Sequence, residues 1–235
     1  MFELDMHTHT VASGHAYSTI IENARVAKEK GLKLLGMSDH APSLPGAAHL
    51  FHISNIRVLP EIIEGVRVLK GVEANIINYD GGIDLGEREL SQLDYVIASL
   101  HIPCINPGSS KENTNAIIGA MKNPHVTMIA HPDDNRYNKD YSEIVKAAKY
   151  YNKLIEVNNT SLKPNSFRQN AEDEILKYLE LCEKEQVKII CNSDAHFAYD
   201  VGNFTNCERV IEASGFPKHL VINHSAEEYL ARITS

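Results

Sequence analysis

The chain has 235 residues, 43% of them hydrophobic and 23% charged, which is enough for a single α/β domain of barrel size with a continuous buried core. Its 31 acidic residues outnumber the 23 basic ones, giving a formal net charge of -8 that argues against a nonspecific nucleic-acid surface binder. Charges are spread rather than blocked, and no linker, low-complexity run or internal repeat interrupts the pattern, so one domain over residues 1–235 is expected.

The first strand is read from Phe2-Glu3-Leu4-Asp5 and runs into Met6-His7-Thr8-His9. Side chains two apart on a strand project from the same face, so both imidazoles can reach one point. Thr19-Ile20-Ile21-Glu22 reads as a capping box opening a helix with Ile21, Ala24 and Lys28 spaced along it, and Gly31 is a natural terminator. Leu34-Leu35-Gly36-Met37-Ser38 is a second strand, ending at His40. A polar loop with Pro42, Pro45, Gly46, His49 and His52 then leads to a helix predicted around Ile56 to Gly65.

Three further strands each run into a nitrogen or oxygen ligand. Val66 to Val72 reaches Glu73, Tyr95 to Leu100 reaches His101, and Val126 to Ala130 reaches His131. Helices are expected over Ser142 to Tyr151 and Glu172 to Glu185, the latter with Ile175, Leu176, Leu179 and Cys182 at helical spacing. Between them lies a strand near Leu154. Val187 to Cys191 then runs into Asp194-Ala195-His196, and Ser225-Ala226-Glu227-Glu228 caps a last helix. Strands near 2, 34, 68, 95, 126, 154 and 187 make seven, with Leu220 to Ile222 as a candidate eighth. Repeated strand-helix units with right-handed crossovers suggest a parallel barrel whose active site lies at the C-terminal strand ends.

Six strand ends therefore carry candidate metal ligands, with His15 close to the first. Taken singly, a histidine after a strand is more often hydrogen-bonded or at the surface. Such an accident would have to recur six times on one side of a barrel, so metal is the better reading of the set. Cys104, Cys182, Cys191 and Cys207 contain no CxxC pair and are read as free thiols used in packing. His49, His52, His125, His219 and His224 are read as ordinary loop and surface residues. The start of the chain lacks the basic and apolar regions of a signal peptide and no apolar run approaches membrane-spanning length, so a cytoplasmic protein is expected.

The order His7-Thr8-His9, His15, Asp39-His40, Glu73, His101, His131, Asp194-Ala195-His196 resembles the PHP (polymerase and histidinol phosphatase) superfamily over essentially the whole chain. The opening Asp5-Met6-His7-Thr8-His9-Thr10, with Ala12-Ser13-Gly14-His15-Ala16-Tyr17-Ser18 after it, is similar to the stand-alone YcdX-type phosphatases of that superfamily. The resemblance implies a distorted (β/α)7, TIM-like barrel holding three divalent metal ions, usually zinc, with manganese or iron in some relatives. It assigns His7 and His9 with Glu73 and Asp194 to one ion, His15, His40 and His196 to a second, and His101 and His131 with Glu73 to a third. A trimeric assembly is implied in the same way.

Three divalent ions against Glu73 and Asp194 would leave about +4 in the site, which suits an anionic substrate. A metal-bound hydroxide is the expected nucleophile, acting on a small phosphate monoester. Asp39 is read as a partner that orients an imidazole, while Arg168, Lys163 and Tyr17 are candidates for contact with phosphate or leaving group. Phosphodiesterase or histidinol-phosphatase-type activity stays open within the family. A metal-dependent amidohydrolase is a second reading, and a nonenzymatic metal-stabilised module is the last. No membrane and no extended nucleic-acid surface are expected as partners.

Overall fold

Short, wholly buried apolar runs alternating with capped amphipathic helices produce the strand-helix repeat that the pattern predicts. The computed structural model of the chain describes residues 1–234. In chain order it contains β1 (Leu4–Asp5), α1 (Ile20–Glu29), β2 (Leu34–Met37), α2 (Leu50–Ser54), β3 (Ile62–Ile63), β4 (Val66–Asn75), α3 (Glu87–Leu90) and β5 (Tyr95–Ser99). There follow α4 (Ser110–Met121), β6 (Val126–Ile129), α5 (Tyr141–Tyr150), β7 (Leu154–Asn158), α6 (Ala171–Glu185), β8 (Ile189–Asn192), α7 (Thr205–Ser214) and α8 (Ala226–Ile233). The strands lie in the order β1-β2-β4-β5-β6-β7-β8, all parallel, with β3 paired antiparallel to β4. This is the distorted seven-stranded barrel, with the helices outside.

The barrel closes between β1 and β8 with little ordinary ladder. A single parallel bridge joins Thr8 to Ala195, where the His9 amide donates to the Ala195 carbonyl at 2.9 Å. Below it, side chains take the place of a strand. The Asn223 amide donates to the carbonyls of Leu4 (3.0 Å) and Cys191 (2.6 Å) and accepts from the Cys191 amide (2.7 Å). Asn192 accepts from the Met6 amide at 2.9 Å, and the Asp5 carboxylate accepts from the Ser193 amide, the Ser193 hydroxyl and the Gly202 amide. Apart from the partly exposed Gly202 these groups are buried, so each bond left unmade would strand a desolvated donor or acceptor.

Leu4, Met6, Leu34, Leu69, Ile97, Met128, Leu154 and Ile190 fill the lower barrel, and Tyr229 of α8 closes it from below. Fully burying each such side chain contributes on the order of 2 kcal/mol. Tyr95 crosses this interior and donates to the Met6 carbonyl at 2.7 Å. It fits because β2 and β4 carry Gly36 and Gly71 where any Cβ would collide with its ring or hydroxyl.

Some predicted elements differ in detail. The helix expected around Ile56 to Gly65 is one turn at Ile56–Val58 followed by the β3-β4 hairpin. Pro60 ends the turn, and Glu64 and Gly65 both adopt positive φ, the conformation that joins two strands in a tight hairpin. The eighth strand at Leu220 to Ile222 is two single turns, with Val221 making one bridge to Ile189. In α1 the capping box and Gly31 are as predicted, but the buried face is Asn23, Ala24 and Ala27, and Ile21 faces out. Leu176 likewise lies on the outer side of α6. The four cysteines are free thiols, with Cys182, Cys191 and Cys207 buried. Among the described residues no helix is long and apolar enough to cross a membrane.

Asn223→Ala removes three seam bonds and leaves buried backbone groups unpaired, so it should destabilise the fold by about 3 kcal/mol. Denaturant titration of the variant beside the parent reads this directly, and a loss below about 1 kcal/mol would contradict a seam closed by side chains.

Candidate metal centre

The C-terminal strand ends bring all nine sequence-predicted side chains to one place, although several strand ends differ from those expected. β1 ends at Asp5, so His7 and His9 stand on the extended segment beyond it, held by the Thr8 bridge; their rings lie 5.1 Å apart. Glu73 sits inside β4 rather than after it, facing the barrel axis. His40, His101, His131 and the Asp194 to His196 segment follow β2, β5, β6 and β8. His131 (φ 30°) and Asp194 (φ 53°) occupy the left-handed region, a strain of about 1–2 kcal/mol each that the surrounding site maintains.

Glu73 is the hub. Its Oε2 lies 2.7 Å from His40 Nδ1, 3.3 Å from His7 Nε2 and 3.5 Å from His9 Nε2. Its Oε1 lies 2.9 Å from His131 Nε2 and 3.3 Å from His101 Nε2. Asp194 Oδ1 is 3.2 Å from His9 Nε2 and 3.5 Å from His7 Nε2, and His15 Nε2 is 3.0 Å from His196 Nε2. His7 Nε2, His9 Nε2, His40 Nδ1 and Glu73 Oε2 are buried atoms with no aligned hydrogen bond, although they crowd one point. Unsatisfied donor atoms of this kind converging in a core are what a divalent ion would satisfy.

Three ligand sets have donor atoms within 4.8 Å of one another: His7, His9 and Asp194; His9, His40 and His196; His40, Glu73 and His101. The first is the expected grouping without Glu73. In the second His9 stands in the place expected for His15, and in the third His40 stands in that of His131. Both displaced histidines remain beside their sets, through His196 and Glu73 respectively.

The imidazoles are oriented by partners that the sequence reading partly missed. Glu156 of β7, fully buried under the cluster, accepts from His7 Nδ1 (2.8 Å), the His131 amide (2.8 Å), Asn158 (3.0 Å) and Asn192 (2.8 Å). A carboxylate inside Leu154-Ile155-Glu156-Val157, otherwise a buried apolar strand, was the available signal. Asp39, expected to orient an imidazole, accepts from Thr10 and from Ser13, whose Oγ lies 3.1 Å from His9 Nδ1. Asn75 accepts from His101 Nδ1 at 2.7 Å and is itself held by Asp84. His52, read as an ordinary loop residue, approaches Asp39 at 3.3 Å.

Burial alone would raise the pKa of Glu73, but His40, His7 and His101 outweigh it and hold the carboxyl well below its usual range. Asp194 is held down likewise by His7, His9, His196 and Arg168. Burial, then the neighbouring His196 and His40, keep His9 and His15 neutral; burial does the same for His101 against the pull of Glu73. His7 is the exception. Burial opposes its protonation, but Glu156, Glu73 and Asp194 together raise its pKa well above the ordinary value. Ionised carboxylates and neutral imidazoles such as those of His9, His15 and His101 are the forms that bind metal.

A family model for the PHP domain matches residues 5–194. The chain belongs to the PHP domain family. It is 49% identical over 231 residues to a probable phosphatase of Thermoanaerobacter sp. (strain X514), covering 97% of this chain and 94% of that protein. A probable phosphatase of Acetivibrio thermocellus is 44% identical over 228 residues, covering 97% and 93%. Among solved structures, the histidinol phosphate phosphatase of Lactococcus lactis subsp. lactis Il1403, complexed with zinc, L-histidinol and phosphate, superposes with a TM-score of 0.57 at 15% identity, covering 92% of this chain and 94% of that one. At that identity it shows a shared fold.

In this PHP chain the donors floor a cleft of about 540 Å³. Arg168 and Lys163 line it, as does Arg136, which the sequence reading passed over. Arg168 is only 6% exposed and reaches Ser161 (3.0 Å), Asn158 (3.4 Å) and Asp194 (3.4 Å). Lys163 pairs with Asp200 at 2.9 Å. Tyr17, 75% exposed, stands apart from the lining.

Glu156 uses both oxygens to accept from four donors, and a carboxamide in its place would turn an NH2 group toward some of them. Glu156→Gln should therefore weaken metal binding by about 10- to 100-fold. Competitive titration with a chromophoric chelator measures this, and unchanged affinity would contradict the orienting role.

Proposed function

We propose that this chain is a metal-dependent phosphoesterase that hydrolyses small phosphate monoesters, with nine side chains holding three divalent ions, zinc the most suitable. The observation that carries the proposal is Glu73, one buried carboxylate whose two oxygens face two imidazole sets: His131 Nε2 lies 2.9 Å from Oε1, while on the other side His7 Nε2, His9 Nε2, His40 Nδ1 and Oε2 itself lack hydrogen-bond partners. His7, His9, His15, His40, His101, His131, Asp194 and His196 would complete the ligand set. The probable phosphatases that resemble it over nearly their whole length support the reaction class.

When bound, such ions lower the pKa of a shared water toward about 7 and offset charge on the phosphoryl oxygens. The protein supplies the rest. Glu156, Ser13 with Asp39, and Asn75 with Asp84 fix the ring orientations of His7, His9 and His101, so the donor atoms are in place before substrate arrives. Arg168, buried beside Asp194, is placed to hold a phosphoryl oxygen by hydrogen bonds that a flexible surface cation would make less well. Lys163, neutralised by Asp200, contributes less to anion binding.

Two measurements test this. Glu73→Ala should lower bound transition metal by about two equivalents of three, because its oxygens serve more than one set; elemental analysis showing full retention, or one metal or fewer in the parent protein, would sink the three-ion arrangement. Hydrolysis of a small aryl phosphate should rise with pH through the neutral range and vanish reversibly on chelation. Full activity after thorough metal removal, or cleavage of an oligonucleotide or an amide with the monoesters inert, would overturn the proposal.

A further inference from the structure

Charge and exposure divide the cleft into two halves. At its floor His40, Glu73, His131 and Asp194 are buried, with His7 and His9 fully enclosed behind them. Toward the mouth the lining becomes apolar, with Leu44 and Pro45 from the segment after His40, Ile102 and Pro103 after His101, and Phe167 from the β7-α6 loop. Phe167 is 62% exposed and Ile102 38%, so these side chains face the opening.

The cations at the mouth are already compensated. Arg136 gives Nε to Asp134 Oδ1 at 2.8 Å and Nη2 to Asp134 Oδ2 at 2.6 Å, and Lys163 is paired with Asp200. A second phosphate or a polyanion entering there would compete with carboxylates already in place. The Phe167 ring, by contrast, is held for contact: the guanidinium carbons of Arg136 and Arg168 lie 4.7 and 5.0 Å from its centroid. With the two guanidinium groups against it the ring still presents exposed area to the opening, where an aromatic partner can meet it edge to face.

In phosphoryl transfer the leaving oxygen departs in line with the attacking one, so a phosphate held at the floor directs its organic group toward the mouth. We propose that the outer half of the cleft is a leaving-group subsite for a flat, apolar, otherwise uncharged moiety, with Phe167 as the residue that selects it. The inference rests on the phosphoesterase reading above and narrows its substrate class to monoesters of aryl-bearing or base-bearing alcohols. A cleft of about 540 Å³ has room for a phosphoryl group together with a ring-bearing organic group.

The test compares benzyl, cyclohexylmethyl and ethyl phosphate on metal-loaded protein, alkyl esters chosen so that leaving-group reactivity differs little. Benzyl phosphate should exceed ethyl phosphate by about tenfold in kcat/KM and exceed the cyclohexylmethyl ester as well. The benzyl-to-ethyl ratio should collapse toward one in Phe167→Ala and be retained in Phe167→Trp, with metal content checked in each variant. A parent ratio near one, or a ratio that Phe167→Ala leaves intact, overturns the subsite while the hydrolase reading stands. Calorimetry with benzylphosphonate and ethylphosphonate separates the other failure. If no ester is cleaved but benzylphosphonate binds more tightly in a Phe167-dependent way, the hydrolase reading falls and the subsite stands; if neither cleavage nor such a preference is seen, the subsite is overturned too.

Discussion

A single carboxylate, Glu73, ionised and fully enclosed, sets the problem that the rest of this structure solves. A buried charge without compensation is costly, and here one of its oxygens, Oε2, is surrounded by ring nitrogens that point at it without forming aligned hydrogen bonds. A protonated His7 offsets part of the charge, yet burial and mutual repulsion keep His9, His15 and His101 neutral. Divalent cations resolve the conflict, because neutral imidazoles and ionised carboxylates become their ligands and every orphaned atom gains a partner.

The barrel's seam and its metal centre are the same construction. His7 and His9 leave β1, while Asp194 and His196 leave β8, so the gap between those strands must close before the first ligand set exists. A normal ladder would use backbone groups along the whole length. Instead the strands separate, and Asn223, Asn192 and Asp5 hold them, which leaves Asn192 able to donate to Glu156 from the same position. Glu156 in turn holds His7 and the strained His131 backbone. Stability of the closure and orientation of the ligands are thereby coupled through a few side chains.

Residue type at strand ends made most of this legible in the sequence. Histidine, glutamate and aspartate after apolar runs are rare enough that their recurrence located the site, and the capping boxes and apolar periodicity located α1, α5, α6 and α8. Three kinds of feature were less accessible. Glu156 and Asn192 lie within strands, where sequence shows only an interrupted apolar run, and their meaning depends on which imidazole the barrel brings opposite. The distribution of histidines among ligand sets depends on side-chain torsions, so His9 and His40 each reach two sets while His15 and His131 lie to one side. The segment from Ile56 to Gly65 has helical spacing, but Pro60 and the paired positive φ values at Glu64 and Gly65 override it.

Crystals grown from metal-loaded protein and measured on both sides of the metal's absorption edge would test the central role of Glu73 most directly. Anomalous peaks are expected within coordination distance of both Glu73 oxygens, with His7, His9 and Asp194 around one of them and His101 among the ligands on the opposite oxygen. Peaks confined to other residues, or a Glu73 carboxylate touching protein donors alone while ions bind elsewhere, would contradict it.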